Sequence, residues 1–161
     1  MLEFDVLALD DAQKMVNAAV DYVKAGGHRG IAVAVVDKTG RIISGARMDG
    51  MAPRYFDAAH RKAYTAAVFE RDTAGVIDFW AAQEKHGHRG PHDWNDPMAT
   101  TLPGGYVVCH GHQGGPFGGM DVIGGVGVAG GEGSGTFSDD AIAEVAIAAL
   151  GAGFRHRRGW E

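Results

Sequence analysis

His86, His88, His92, His110 and His112 fall within one stretch of the chain, at spacings that can do chemistry. One residue separates His86 from His88 and His110 from His112, so an extended backbone turns both members of each pair to one face. Neutral imidazoles in this arrangement suit zinc, iron, copper or nickel. Asp93 or Asp96 can complete a metal site, and Asp93, Asp96 and Asp121 can orient the rings. Without metal, the same side chains exchange protons near neutrality and serve as general acids and bases, with His86 and His88 the leading catalytic candidates. A third reading leaves them as exposed loop histidines with no shared target. The expectation is that the two histidine groups converge on one pocket.

A second group of residues suits an acidic ligand. Arg47 can grip a carboxylate with two parallel N–H bonds and Lys62 can act as a point charge, with Lys62 and Asp49 also candidates for both ligand binding and catalysis. The alternative is an internal ion pair, Arg47 to Asp49 or Lys62 to Asp49. Gly130 and Gly131 read as a turn whose amides can meet a carboxylate ahead of a helix that starts near Ser138. Trp80, Trp94 and Phe117 can wall an apolar pocket for a flat ligand; Trp80 sits at helical spacing and reads as core, which makes Trp94 the pocket candidate. Cys109 lies among valines and reads as a small buried hydrophobe.

The elements that must hold these groups follow from periodicity. Asp10 and Gln13 have capping-box spacing, and Ala12, Met15, Val16, Ala19, Val20 and Val23 recur as one helical face that ends at Gly26-Gly27. The apolar run Ile31-Ala32-Val33-Ala34-Val35-Val36 reads as a strand buried on both sides. Asp37-Lys38-Thr39-Gly40 turns the chain, and residues 41–47 return as a hairpin. After Pro53, Ala58, Ala59, Ala63, Ala66 and Ala67 form a small-residue helical face; Val76, Ile77 and Trp80 mark a shorter helix. Residues 83–101 lose periodicity and read as a long histidine-bearing loop. Residues 106–109 and 122–128 read as strands joined by a glycine-rich connection over 111–121. A last helix buries Ile142, Val145, Ala146, Ala149 and Leu150, with Asp139 and Asp140 in its first turn. The reading is one α+β domain over residues 1–161, with an antiparallel sheet of about five strands flanked by N-terminal, central and C-terminal helices.

Composition narrows the function. At 161 residues with 26 glycines, many backbone positions must turn sharply or approach a neighbour closely. The net charge of -5 and the lack of a basic stripe argue against nucleic acid. The run Arg155-His156-Arg157-Arg158 reads as a solvated tail, and His28, His60 and His156 as ordinary surface or packing residues. An acidic N-terminus, a single cysteine and the lack of a long apolar run point to a cytoplasmic protein away from the membrane. Gly125-x-Gly127-x-x-Gly130 formally fits a dinucleotide fingerprint, but the interleaved valines place it inside a strand, so NAD is not expected.

The chain resembles the GlcG/HbpS-like family of heme-binding or heme-degrading proteins. The resemblance rests on Ala34-Val35-Val36-Asp37 with Gly40, Arg47-Met48-Asp49-Gly50, Lys62-Ala63 with Thr65-Ala66, Leu102-Pro103-Gly104-Gly105, and residues 123–131 followed by Asp140. It implies an antiparallel sheet flanked by helices, self-association into dimers or larger assemblies, and heme as the named ligand candidate. The functional expectation is a protein that binds a flat or carboxylate-bearing small molecule. The alternative is a small catabolic enzyme for proton transfer, decarboxylation, hydrolysis or isomerisation, using the histidines with or without a divalent transition metal. A third possibility is a purely structural, oligomer-forming subunit.

Overall fold

The run from Ile31 has no polar break because the chain uses it as β1 (Ala32–Asp37), a strand covered on both faces. The computed structural model describes residues 5–90, 94–111 and 121–159. Asp37 closes the following turn: its Oδ1 accepts from the Thr39 amide at 2.8 Å, the Thr39 hydroxyl at 2.6 Å and the Arg41 amide at 3.2 Å, while Gly40 takes a φ of 82°. Burial raises this carboxyl, but the bonds from Thr39 and Arg41 outweigh it and hold Asp37 below the ordinary carboxylate value. β2 (Ile42–Arg47) then returns against β1.

β4 (Asp121–Ala129) lies between β1 and β3 (Gly105–His110), and β5 (Phe154–Arg155) adds to the far side of β3. The order is β2-β1-β4-β3-β5, with antiparallel pairing throughout. With α1 (Leu9–Ala25), α2 (Pro53–Val68), α3 (Thr73–Glu84) and α4 (Asp139–Ala148), this is an α+β fold.

Side-chain alternation divides the core. Val33, Val35, Val108, Val126 and Val128 pack with α1 and α4 on one face. On the other face α2 sets Ala59 against Ala32 and Ala34, Ala63 and Ala67 against Val36, and Ala66 against Val107 and Cys109. The alanine face is met by glycines in the sheet. A methyl group on Gly127 would stand 2.0 Å from the Ala59 carbonyl oxygen, and one on Gly125 2.4 Å from that of Ala63. The helix backbone therefore rests on the strand itself, and the fingerprint-like glycines serve this contact. The small-residue face of α2 thus packs on the sheet of its own chain.

Several expectations change. α1 starts after Ala8 with no side-chain cap, and Asp10 lies inside its first turn, so Asp10 and Gln13 do not form a capping box; the carboxylate favours the helix dipole instead. The fifth strand is two residues long, too short for periodicity to reveal. The basic run is not a solvated tail. Arg155 pairs with Cys109, His156 meets Asp72, the Arg157 carbonyl accepts from the Asp72 amide, and Arg158 pairs with Asp78. Ser138 does cap α4, accepting from the Ala141 amide at 3.1 Å. Among the described residues, no helix is long and apolar enough to cross a membrane.

Candidate ligand-binding site

The junction of α2 and α3 builds an aromatic cleft. α2 ends at Val68 with Phe69 as its C-cap, after which Glu70 takes the left-handed conformation at φ 56°. The Glu70 amide then reaches the Ala67 carbonyl, and the Arg71 amide reaches that of Ala66. This hydrogen-bond pattern usually employs glycine, and glutamate there holds about 1 kcal/mol of strain. The reversal sets Phe69 and Arg71 into one cavity of about 230 Å³ with Val76, Phe79 and Trp94. Trp94 stacks on Phe69 with centroids 4.0 Å apart and leans on the buried Trp80 at 3.6 Å. The Arg71 guanidinium lies 5.4 Å from the Phe79 ring centre. Burial and the nearby Arg157 charge pull Arg71 below the ordinary arginine value, although Glu70 opposes them.

Loop contacts hold Trp94 in place. Tyr64 donates to Asp96 Oδ2 at 2.8 Å, Asp96 Oδ1 accepts from the Met98 amide, and the Thr100 amide reaches the Thr65 hydroxyl. Burial and the Asp96 carboxylate push the Tyr64 phenol above its ordinary value. Trp94 thus lines a cleft and Trp80 is core. Phe69, Arg71, Val76 and Phe79 are not read from the sequence as site residues, since Phe69 and Arg71 acquire a common direction only through the left-handed residue between them.

Lys62 is buried and has partners within the chain. Its Nζ donates to the Val128 carbonyl and to Asp139 Oδ2, both at 2.8 Å. The ion pair is therefore with Asp139 and not with Asp49. The other Asp139 oxygen accepts from the Gly131 amide at 2.8 Å, so this amide meets the protein's own carboxylate. Gly130, at φ 99°, offers its carbonyl to Arg29. Arg47 is exposed and donates to the Met51 carbonyl at 2.9 Å. Asp49 lines a second cleft, of about 250 Å³, with Val20, Lys24, Gly30, Ala46 and Met48.

His86 and His88 are exposed in the turn after α3, where both amides reach the Gln83 carbonyl. His110 sits at the end of β3, 2.6 Å from Asp5 Oδ2 and stacked on Phe154. His92, His112, Asp93 and Phe117 lie outside the described residues. Among the described residues, no three His, Cys, Asp or Glu side chains gather to hold a metal ion. Burial pushes the Cys109 thiol up to about 11, in keeping with an inert packing role.

His156, which sequence reasoning set aside, has partners from three elements. Its Nδ1 lies 2.6 Å from Oδ2 of the buried Asp72, its ring stacks on Tyr106 at 4.1 Å, and its Nε2 is 3.9 Å from Glu144. The hydrogen bond to Asp72 raises the His156 value despite desolvation. Desolvation leaves Asp72 above the usual carboxylate value, although His156 and the Val107 amide pull it down.

Residues 7–148 match the family described as "Haem degrading protein HbpS-like". The chain belongs to the HbpS-like family. Its fold superposes on a crystal structure of HbpS with a TM-score of 0.71 and 29% identity, covering 94% of each chain. A double mutant of Streptomyces reticuli HbpS gives 0.71 and 30% identity over 94% of this chain and 91% of that one. A heme complex of PduOC matches at 0.70 and 24% identity over 95% and 99%, a likeness of fold. No curated protein matches the chain. The HbpS-like assignment spans the helices and strands that build the aromatic cleft.

Proposed function

We propose that this HbpS-like chain binds a flat, carboxylate-bearing small molecule at the aromatic cleft, with heme the candidate ligand. The observation that carries the reading is one apolar wall made of Phe69, Phe79 and Trp94 with a guanidinium set into it. Aromatic faces bind a planar ring, and Arg71 suits a carboxylate. Family membership supports a heme-related ligand. The haem-complexed PduOC supplies a structural precedent for the fold carrying such a ligand.

The lining residues suit the ring and its propionates, and among the described residues none of the lining is a histidine, cysteine, methionine or tyrosine that could act as an axial ligand. The cavity of about 230 Å³ also lies below the roughly 300–1,000 Å³ of ordinary ligand sites, so part of a tetrapyrrole projects from it. Recognition at this wall is therefore through the ring plane and carboxylates, and a metal-free porphyrin should bind nearly as well as hemin.

Titration with hemin and with protoporphyrin IX tests this. Both should saturate at one equivalent or less per chain, with dissociation constants within about tenfold of each other. Trp94→Ala removes an indole wall that contributes about 1.5–3 kcal/mol, so it should weaken both by roughly ten- to a hundredfold. Unsaturable absorbance, or equal affinity in Trp94→Ala, would sink the reading.

A further inference from the structure

The basic run near the C-terminus touches the residues interleaved with the cleft wall. Phe69, Arg71, Val76 and Phe79 line the cleft. Between or beside them, the Glu70 carbonyl accepts from Arg157 Nε at 2.8 Å, Asp72 meets His156 at 2.6 Å, and Asp78 meets Arg158 at 2.8 Å. The backbone is equally close: the Asp72 amide donates to the Arg157 carbonyl at 2.7 Å, and a methyl on Gly75 would stand 1.4 Å from the Arg158 carbonyl oxygen. We propose that residues 156–158 are a brace that sets the shape of the aromatic cleft by holding the α2–α3 turn, with His156 and Arg157 as its positioning residues.

Two features favour a positioning role over simple packing. Glu70 carries the left-handed conformation that sets Phe69 and Arg71 into the cleft, and Arg157 bonds its carbonyl. A strained backbone persists when its surroundings over-determine it, and this bond is one such constraint. Asp72, moreover, does not cap its own helix through its side chain. One oxygen accepts from the Val107 amide at 3.0 Å and the other is committed to His156, so the start of α3 is tied to the sheet and to the brace together.

The brace responds to protonation of His156. The groups facing this imidazole are Asp72 from the start of α3, Glu144 and Asp140 from α4, and the Tyr106 ring from β3. Its folded value is raised above the ordinary 6.5 by the Asp72 bond, so charged docking is complete below that value and is lost as pH rises through the folded one. The ligand affinity rests on the proposed function, while the shape of the empty cleft does not.

The test follows Trp80 and Trp94 emission and protoporphyrin IX affinity from about pH 6 to 9 in a Trp160→Phe background. Emission should show one step above pH 6.5, and affinity should fall across it by about fivefold or more, the lower end of ordinary coupling between sites. His156→Gln should remove the step and hold affinity at its high-pH level. Asp72→Asn should remove the step too, since it keeps hydrogen-bonding groups but no charge; circular dichroism checks that both variants remain folded. Arg158→Gln should change little, since it breaks only an exposed side-chain pair and keeps the main-chain contact of residue 158 with Gly75. Flat emission in the parent, or a step that survives in folded His156→Gln, overturns the brace. An emission step without porphyrin binding supports the brace and sinks the ligand reading instead.

Discussion

Gly127→Ala is expected to destabilise the fold by about 3 kcal/mol or more, at or beyond the upper end of ordinary overpacking. The added methyl would lie 2.0 Å from the Ala59 carbonyl oxygen and 2.6 Å from the Ala63 amide nitrogen. Both are main-chain atoms of a helix already seated on the sheet, so no rotamer change clears the space. α2 must lift away, and its contacts between Ala59, Ala63 and Ala67 and the strands below open together. In a chain of this length the melting temperature should fall by roughly 6–12 °C. Gly133→Ala is the control, because a methyl there meets nothing within 4 Å, and its effect should stay within about 0.5 kcal/mol. Equal melting temperatures for the two variants would remove the close-approach account of these glycines.

The glycine and alanine patterns show which parts of the molecule a single sequence discloses. β1, the turn at Asp37, α2 after Pro53 and α4 after Ser138 follow from local rules, because apolar period and turn chemistry act over a few neighbouring residues. The family resemblance read from the glycine-marked segments is matched by the HbpS-like family over residues 7–148. The brace was illegible for the opposite reason. His156 and Asp72 are 84 residues apart, and nothing near either one marks the other. A charged run reads as solvated until its partners are known, and here they sit at the exit of α2 and along α3. The cleft was half legible: Trp94 stood out as an aromatic in a polar loop, whereas Arg71 and Phe69 depend on one left-handed residue. Lys62 carried a strong signal, a cation among alanines, with two meanings that spacing could not separate.

Lys62→Met is expected to cost about 3 kcal/mol, the lower end for breaking a buried ion pair, since the Asp139 side chain keeps 22% exposure. The substitution approximates the volume, but it removes the donor to the Val128 carbonyl and leaves the Asp139 carboxylate with the Gly131 amide. Asp139→Asn should cost less, because an amide oxygen can still accept from Lys62 or Gly131. The double variant should lose less than the sum of the singles, with a coupling of about 1–2 kcal/mol, as expected for side chains in direct contact. Porphyrin affinity decides between structure and ligand chemistry. If Lys62 fixes the end of β4 to the start of α4, folded Lys62→Met binds protoporphyrin IX like the parent, because Phe69, Arg71, Phe79 and Trp94 are untouched. If Lys62 instead holds a ligand carboxylate, the variant keeps its melting temperature within a few degrees and loses affinity by tenfold or more. The two outcomes move opposite observables, so denaturation and titration of the same preparation assign the lysine to one role or the other.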